Sequence, residues 1–261
     1  MILFIIFGVQ FFGEKKQIQA DYVSMTEQYQ ESFKLTKADQ NVGFADAAEL
    51  KLTEQQKDVA ITEGGSYRIS GEYRQTLYIN AEEEIVHLLF DNVNIHAENG
   101  PALYVISAGK VIITLMEGTD NLLKDAPIYP AGKEAKGAVY STCDLTINGK
   151  GRLSVYGFYE DGIYSRDVLK LLQGEVYVQA KKDALRGSDG VLVELSKLEI
   201  ESERNGIVAA NTGKEFKGTV DIGAGEISIV AGEYGIVTPS IDELILAEPE
   251  MVKQGSRFGV N

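Results

Sequence analysis

Three stretches of the chain carry oxygen-bearing side chains in matching pairs: Asp161 with Asp167, Asp183 with Asp189, and Asn205 with Asn211. The members of each pair are 6 residues apart, and each stretch begins 22 residues after the one before. Carboxylate, amide and carbonyl oxygens are the natural ligands of Ca2+, which they hold at about 2.3–2.6 Å. Residues one period apart become neighbours if the chain stacks strand on strand at about 4.8 Å, and an ion can then sit between successive rungs. On that reading Asp161, Asp183 and Asn205 form one candidate calcium row, and Asp167 and Asp189 form a second that continues to Asn211. The same residues also have a plain structural use, because Asp and Asn tolerate turn geometry and bond their own backbone. Lys182 and Arg204 immediately precede Asp183 and Asn205 and offer cations that neutralise the rows without an ion.

The elements that must position these residues repeat with them. Gly162, Ala184 and Gly206 follow one another at a spacing of 22, Ala138 precedes them by 24 and Gly235 follows by 29. Val139, Ile163, Leu185, Ile207 and Ile236 occupy one apolar position in this register. Leu169 and Val191 mark a second strand, and Leu153, Val176, Leu198 and Ile227 begin a third. Periods of this size mark a solenoid, whose units bury their apolar faces only by stacking. Three short alternating strands per turn predict an all-β, right-handed, single-stranded parallel β-helix of about 22 residues per coil. A leucine-rich repeat needs a Leu-rich consensus and a helical side, and neither is visible.

The strand between the two acidic rows has an outward face. If Ile163 points inward, Tyr104, Tyr140, Tyr164 and Arg186 share one exterior line, continued by Val208. Flat rings with polar tips suit sugar faces, and the arginine can pair with a carboxylate, so these four are the candidate carbohydrate contacts. A tyrosine ladder that merely shields the coil is the alternative. Tyr156 and Tyr177 fall on the third strand and read as ordinary surface tyrosines.

The composition agrees with short strands and tight turns: 27 Gly, 5 Pro and no Trp in 261 residues. A net charge of −14 repels a phosphate backbone and excludes nucleic acid as an expected partner. The single Cys143 cannot form an internal disulfide, and His87 and His96 lack the spacing of a zinc helix. There is no nucleophile elbow and no phosphate-binding glycine loop, so the sequence does not demand an enzyme. Residues 1–22 read as an apolar leader of the export type, 23–57 as a cap or linker with a helix near Val23–Gln40, 58–240 as the solenoid and 241–261 as a cap or tail. The apolar leader is too short to span a bilayer as a helix, and no later run is long enough. The sequence carries no signal for oligomeric state.

KVIITLMEGTDNLLKD, KGAVYSTCDLTINGKGRLSVYG and EDGIYSRDVLKLLQGEVYVQAKKDALRGSDGVLV, taken in order, resemble a family of bacterial carbohydrate-binding domain-containing proteins. The resemblance implies a parallel β-helix akin to that of pectate lyases, calcium at the repeated Asp positions, a secreted or cell-surface location, and binding of cellulose-like or acidic polysaccharide. The family's Asp-Gly-Ile falls on Asp161, Gly162 and Ile163. The chain departs from its Asp-Asp-Gly or Gly-Asp-Gly pattern at Lys182-Asp183-Ala184, Arg204-Asn205-Gly206 and Glu233-Tyr234-Gly235. Two further functions stay open: a polysaccharide lyase with Lys182 or Arg186 as base beside calcium, and a purely structural surface solenoid.

Overall fold

The computed structural model describes residues 33–42, 46–57, 59–132, 134–212, 217–223 and 225–239, and the backbone of strands 244–246 and 258–260. Two compact units divide the chain, Met1–Lys34 and Leu35–Asn261, and the structure described below belongs to the second. Its described residues form strands and turns without a helix.

All strand pairs are parallel and fall into two curled sheets. In a nine-stranded sheet, Leu77–Asn80, Leu103–Ser107, Gly137–Ser141, Asp161–Ser165 and Leu185–Gly187 are successive neighbours. This is the tyrosine sheet. The fourteen-stranded sheet has two arms that meet at the long strand Ile85–His96. One arm runs through Lys110–Leu115, Leu145–Gly149, Val168–Leu172 and Gly190–Glu194. The other runs through Asp120–Lys124, Arg152–Gly157, Glu175–Ala180, Lys197–Ser202 and Glu226–Ala231. The chain visits the tyrosine sheet, the first arm and the second arm in turn, three strands per circuit. Paired strands extend beyond the expected boundaries of 58 and 240, with Ala48–Leu52 on Gly65–Tyr73, Leu244–Leu246 on Thr219–Ile222 and Phe258–Val260 on Ile236–Thr238.

The apolar residues meet as the sequence register requires. Val139, Ile163, Leu185, Ile207 and Ile236 pair in order, as do Leu153, Val176, Leu198 and Ile227, and all belong to one buried core. In-register stacking of like aliphatic side chains keeps each rung filled without voids, which is where core packing gains its energy. Gly162 has to be small: a Cβ there would strike Val178 Cγ1 and lie 2.6 Å from the Ala184 carbonyl oxygen.

The two arms differ in what their outer faces meet. The second arm alternates buried and accessible residues, as in Arg152–Gly157 and Glu175–Ala180. Leu145–Gly149 of the first arm is buried throughout, and its outward Thr146 and Asn148 are covered by the segment around Asp39. The described part of the expected helix near Val23–Gln40 is not helical. Residues 33–40 are extended and turned, and 23–32 lie outside the described residues. The local reason is a reciprocal turn: Asp39 Oδ2 accepts from Thr36 N (2.9 Å) and Thr36 Oγ1 (2.8 Å), while Asp39 N donates to Thr36 Oγ1 (3.2 Å). Instead of capping a coil end, this turn is pinned to the side of the sheet.

Asp39 is fully buried, with Lys110 Nζ at 3.0 Å, Lys170 Nζ at 3.5 Å and Thr146 Oγ1 at 2.6 Å. Burial opposes its ionisation, yet the hydrogen bonds from Thr146, Thr36 and Lys110 hold its carboxyl well below the ordinary range. Asp39→Ala removes the buried carboxylate paired with Lys170 and Lys110 and should cost about 3–5 kcal/mol in urea unfolding. Adding Lys170→Met should recover part of that loss, and no recovery would refute the ion-pair account.

Candidate functional site

Asp161, Asp183 and Asn205 stand on three successive rungs at the entrance to the tyrosine sheet. The backbone N–H of Asp183 donates to Asp161 Oδ1 at 3.1 Å, and Asn205 Nδ2 donates to Asp183 Oδ1 at 2.9 Å. The stacking that aligns the strands therefore also aligns this row. Asp183 has no exposed surface, and its carboxylate is neutralised from two sides. Arg204 donates through Nε at 2.8 Å to Oδ1 and through Nη2 to Oδ2, and Arg186 Nη1 donates to Oδ2 at 3.0 Å. A two-point guanidinium clamp is the strongest pairing a carboxylate can find within a protein. Lys182, the other cation beside the row, instead pairs with Glu160 at 2.8 Å. Asp161 has no such clamp. Burial first, and then the charge of Asp183, push its carboxyl up to about 7. Asn205 is buried with its Oδ1 lacking a hydrogen-bond partner.

Asp167 and Asp189 form the second row. Their carboxyls interact with each other, which favours a proton on Asp167 over one on Asp189. Burial, then the bond to Asp189 and the charge of Asp144, raise Asp167 to about 6. Burial opposes ionisation of Asp189 as well, but Lys217, Asp167 and Asn211 outweigh it and hold that carboxyl low. Asn211 Nδ2 and Lys217 Nζ both donate to Asp189. Asp144 accepts from Val168 N at 3.2 Å, which brings a third carboxylate to this end of the row.

These donor sets bear differently on the calcium implied by the sequence. Asp183 has both oxygens engaged by guanidinium and amide groups, so the Asp161, Asp183 and Asn205 row does not fit Ca2+ as it stands. Asp167 and Asp189 keep two adjacent carboxyls, of which only Asp189 is held by a cation, Lys217, with Asn211 beside it. Among the described residues, no group of three or more His, Cys, Asp or Glu side chains is arranged to hold a metal ion.

The aromatic line is assembled as expected: Tyr104, Tyr140, Tyr164 and Arg186 are consecutive partners, and Tyr78 extends it by one rung. The rings meet edge to face, with centroids 5.6 Å apart for Tyr104 and Tyr140 and 5.2 Å for Tyr140 and Tyr164. Arg186 lies over Tyr164 at 5.2 Å while bound to Asp183. The expected exposure fails at the centre, where Tyr140 is only 4% exposed. The excursion through Ala126–Lys136 folds back, and Tyr129 joins Ala126, Ala135 and Tyr140 in a small apolar cluster flanked by Tyr104, Tyr159 and Tyr164. Tyr140 is thus a buried anchor and cannot be a sugar contact, whereas Tyr104, Tyr164 and Arg186 remain half-exposed.

Asp125 fastens this excursion, and sequence reasoning passed over it. It accepts from Tyr129 Oη at 2.8 Å and from Phe158 N at 2.6 Å, and Tyr129 also donates to the Gly137 carbonyl at 3.0 Å. Burial raises its carboxyl to about 6. Tyr129 and Tyr159 stack above it, 4.1 Å apart with an interplanar angle of 17°. The break in period at KDAPIYPAGKEAK was the available signal, since an insertion into a solenoid has to lie on some face.

Comparison with known proteins places this geometry. A family model for carbohydrate-binding domain-containing proteins matches residues 55–258. A carbohydrate-binding domain-containing protein of Acetivibrio thermocellus is 35% identical over 135 residues, which is 49% of this chain and 47% of the relative. The alignment thus spans about half of each. The structure of a polysaccharide lyase-like protein from C. thermocellum, a gadolinium derivative, superposes with a TM-score of 0.70 at 28% identity, covering 82% of this chain and 97% of that one.

The proton on Asp161 has a measurable consequence. Unfolded Asp titrates near about 3.9, so between there and about 7 the folded state holds a proton that the unfolded state has released. Stability contributed by this group therefore falls as pH rises through that window. Asp161→Asn, which keeps the acceptor for Asp183 N, should reduce the fall between pH 4.5 and 7.5 by on the order of 1–3 kcal/mol in urea melts. An unchanged slope would show that Asp161 is ionised throughout.

Proposed function

The chain belongs to the carbohydrate-binding domain-containing protein family, and we propose that it is a non-catalytic polysaccharide-binding protein built as a right-handed parallel β-helix and displayed at the cell surface. The observation that carries this reading is the continuous parallel register of the tyrosine sheet, which sets like residues in straight rows along the molecule. An extended glycan is a ligand of matching shape, because one row can follow it over several sugars. Tyr104, Tyr164 and Arg186 offer ring area and donors on one such line. Family membership and the lyase-like neighbour support polysaccharide as the partner, and the apolar leader in the sequence supports export.

The ion pairs favour binding over lyase chemistry. A lyase base has to be free to take a proton, and both cations considered for that role are committed, Lys182 to Glu160 and Arg186 to Asp183. The purified chain should therefore be retained by polygalacturonate or cellulose in affinity electrophoresis without releasing unsaturated product. Absorbance from such a product would establish the lyase instead, and migration unaffected by every glycan would leave a structural solenoid.

Calcium assistance, within this reading, is confined to the Asp167 and Asp189 pair. An ion there relieves the repulsion between the two carboxylates and competes with Lys217 for Asp189, and rung spacing suits carboxylate oxygens on both sides of it. Millimolar Ca2+ at pH 7 should raise Tm by a few degrees, about the value expected for ligand-linked stabilisation, and Asp167→Asn plus Asp189→Asn should abolish the rise. Glycan retention and Tm indifferent to a chelator would remove calcium from the function.

A further inference from the structure

The second arm presents the open face that the tyrosine sheet lacks. Tyr177, Tyr156 and Phe158 lie side by side on it, with Tyr156 5.7 Å from Tyr177 and 6.0 Å from Phe158, the latter pair within 24° of parallel. Phe158 is 41% exposed, unusual for a phenylalanine that folding is free to bury. Tyr156 and Tyr177 are half-exposed, and the polar Ser154 and Gln179 alternate with them in the same register. The face thus joins aromatic area to hydrogen-bonding groups, the combination that sugar rings need on their apolar and hydroxyl-bearing sides.

The charges along this face are mixed, and one cation among them stands apart from the carboxylates. Lys124 pairs in register with Tyr156 and places its ammonium 4.7 Å from that ring. Among the described residues it makes no ion pair with a carboxylate, in a chain whose net charge is −14. His96 is the register partner of Lys124 on the next strand, and Arg74 Nη1 lies 3.5 Å from His96 Nδ1. They border a shallow groove with Asn94 that also holds Glu54 and Glu72, and Arg74 is itself paired with Glu54 at 2.6 Å. In the opposite direction the row turns acidic at Glu201, beside Glu199. A cation over a ring with no anion of its own leaves room for the anion of a ligand.

We propose that the Lys124, Tyr156 and Phe158 platform on the second arm is a binding site for acidic polysaccharide, with a uronate ring stacked on Phe158 and Tyr156 and its carboxylate on Lys124. The inference rests on the polysaccharide reading above and gives it a second, more accessible face. The uronate is centred on Lys124, because Glu199 and Glu201 on one side and Glu54 and Glu72 on the other repel a carboxylate. Aromatic stacking supplies most of the affinity, while the lysine selects acidic over neutral sugar and makes binding weaken with salt.

Affinity electrophoresis of the full chain in polygalacturonate and in hydroxyethylcellulose, at two salt concentrations, tests this. Tyr156→Ala plus Phe158→Ala should weaken polygalacturonate retention by about tenfold, as expected for loss of two stacking rings. Lys124→Gln should weaken it by about threefold, lower its salt dependence and leave hydroxyethylcellulose retention at the wild-type value. Thermal melts of each variant separate loss of the site from loss of the fold. Wild-type retention by both platform variants at unchanged Tm overturns the placement while leaving polysaccharide binding intact. Loss in Tyr164→Ala alone likewise overturns it in favour of the tyrosine sheet. A wild-type chain retained by neither glycan overturns the polysaccharide reading and the platform together.

Discussion

Parallel strands stacked in register set each residue beside its counterpart one circuit away, and this proximity of like to like governs the molecule. For aliphatic residues it is favourable: Val139, Ile163, Leu185 and Ile207 make a ladder whose rungs fill one another's gaps. For carboxylates it is a liability, since two charges at rung spacing repel by about 0.8 kcal/mol in water and by more where water is excluded. The chain resolves that repulsion differently on each acidic row. Asp183 is clamped by Arg204 and Arg186, while the carboxyls of Asp161 and Asp167 are pushed up toward their protonated forms. A cation from the protein, a bound proton and an ion from solution are three solutions to one electrostatic problem. The arginines settle which of them the first row uses.

The same stacking leaves three flanks, and the chain treats them unequally. The first arm is sealed along Leu145–Gly149, where the turn around Asp39 bonds Thr146 and Asn148 and sets a buried carboxylate beside Lys110 and Lys170. The tyrosine sheet is partly sealed by the excursion that Asp125 fastens. The second arm keeps the alternating pattern of a strand with one wet face. A solenoid that binds a long ligand needs one such unobstructed flank, and the exposed aromatic side chains of the second arm lie on it.

Most of the architecture was legible because a solenoid writes its contacts locally. The alternation around Ile163 assigned the inward and outward sides of its strand, and the 22-residue spacing identified Leu185 and Arg186 as the partners of Ile163 and Tyr164. Arg204 was recognisable as a cation for the acidic row from its position beside Asn205, although Lys182, equally placed by sequence, turned to Glu160. The difference lies in what stands one rung back. Lys182 faces Glu160 there, whereas Arg204 faces Lys182 and turns its planar fork to the adjacent Asp183.

The remainder could not be read from period or composition. Asp39 meets Thr146 across 107 residues and Lys110 across 71, with no repeat to announce either contact. Tyr140 and Tyr156 are both outward tyrosines on short strands, yet one is buried and the other half-exposed. Sequence by itself determined which residues share a row, because strand alternation and a constant period are properties of the chain. Tertiary structure alone decided which rows are covered and which charges are answered, because an insertion and a non-repeating N-terminal segment fold across faces that the repeat leaves equivalent.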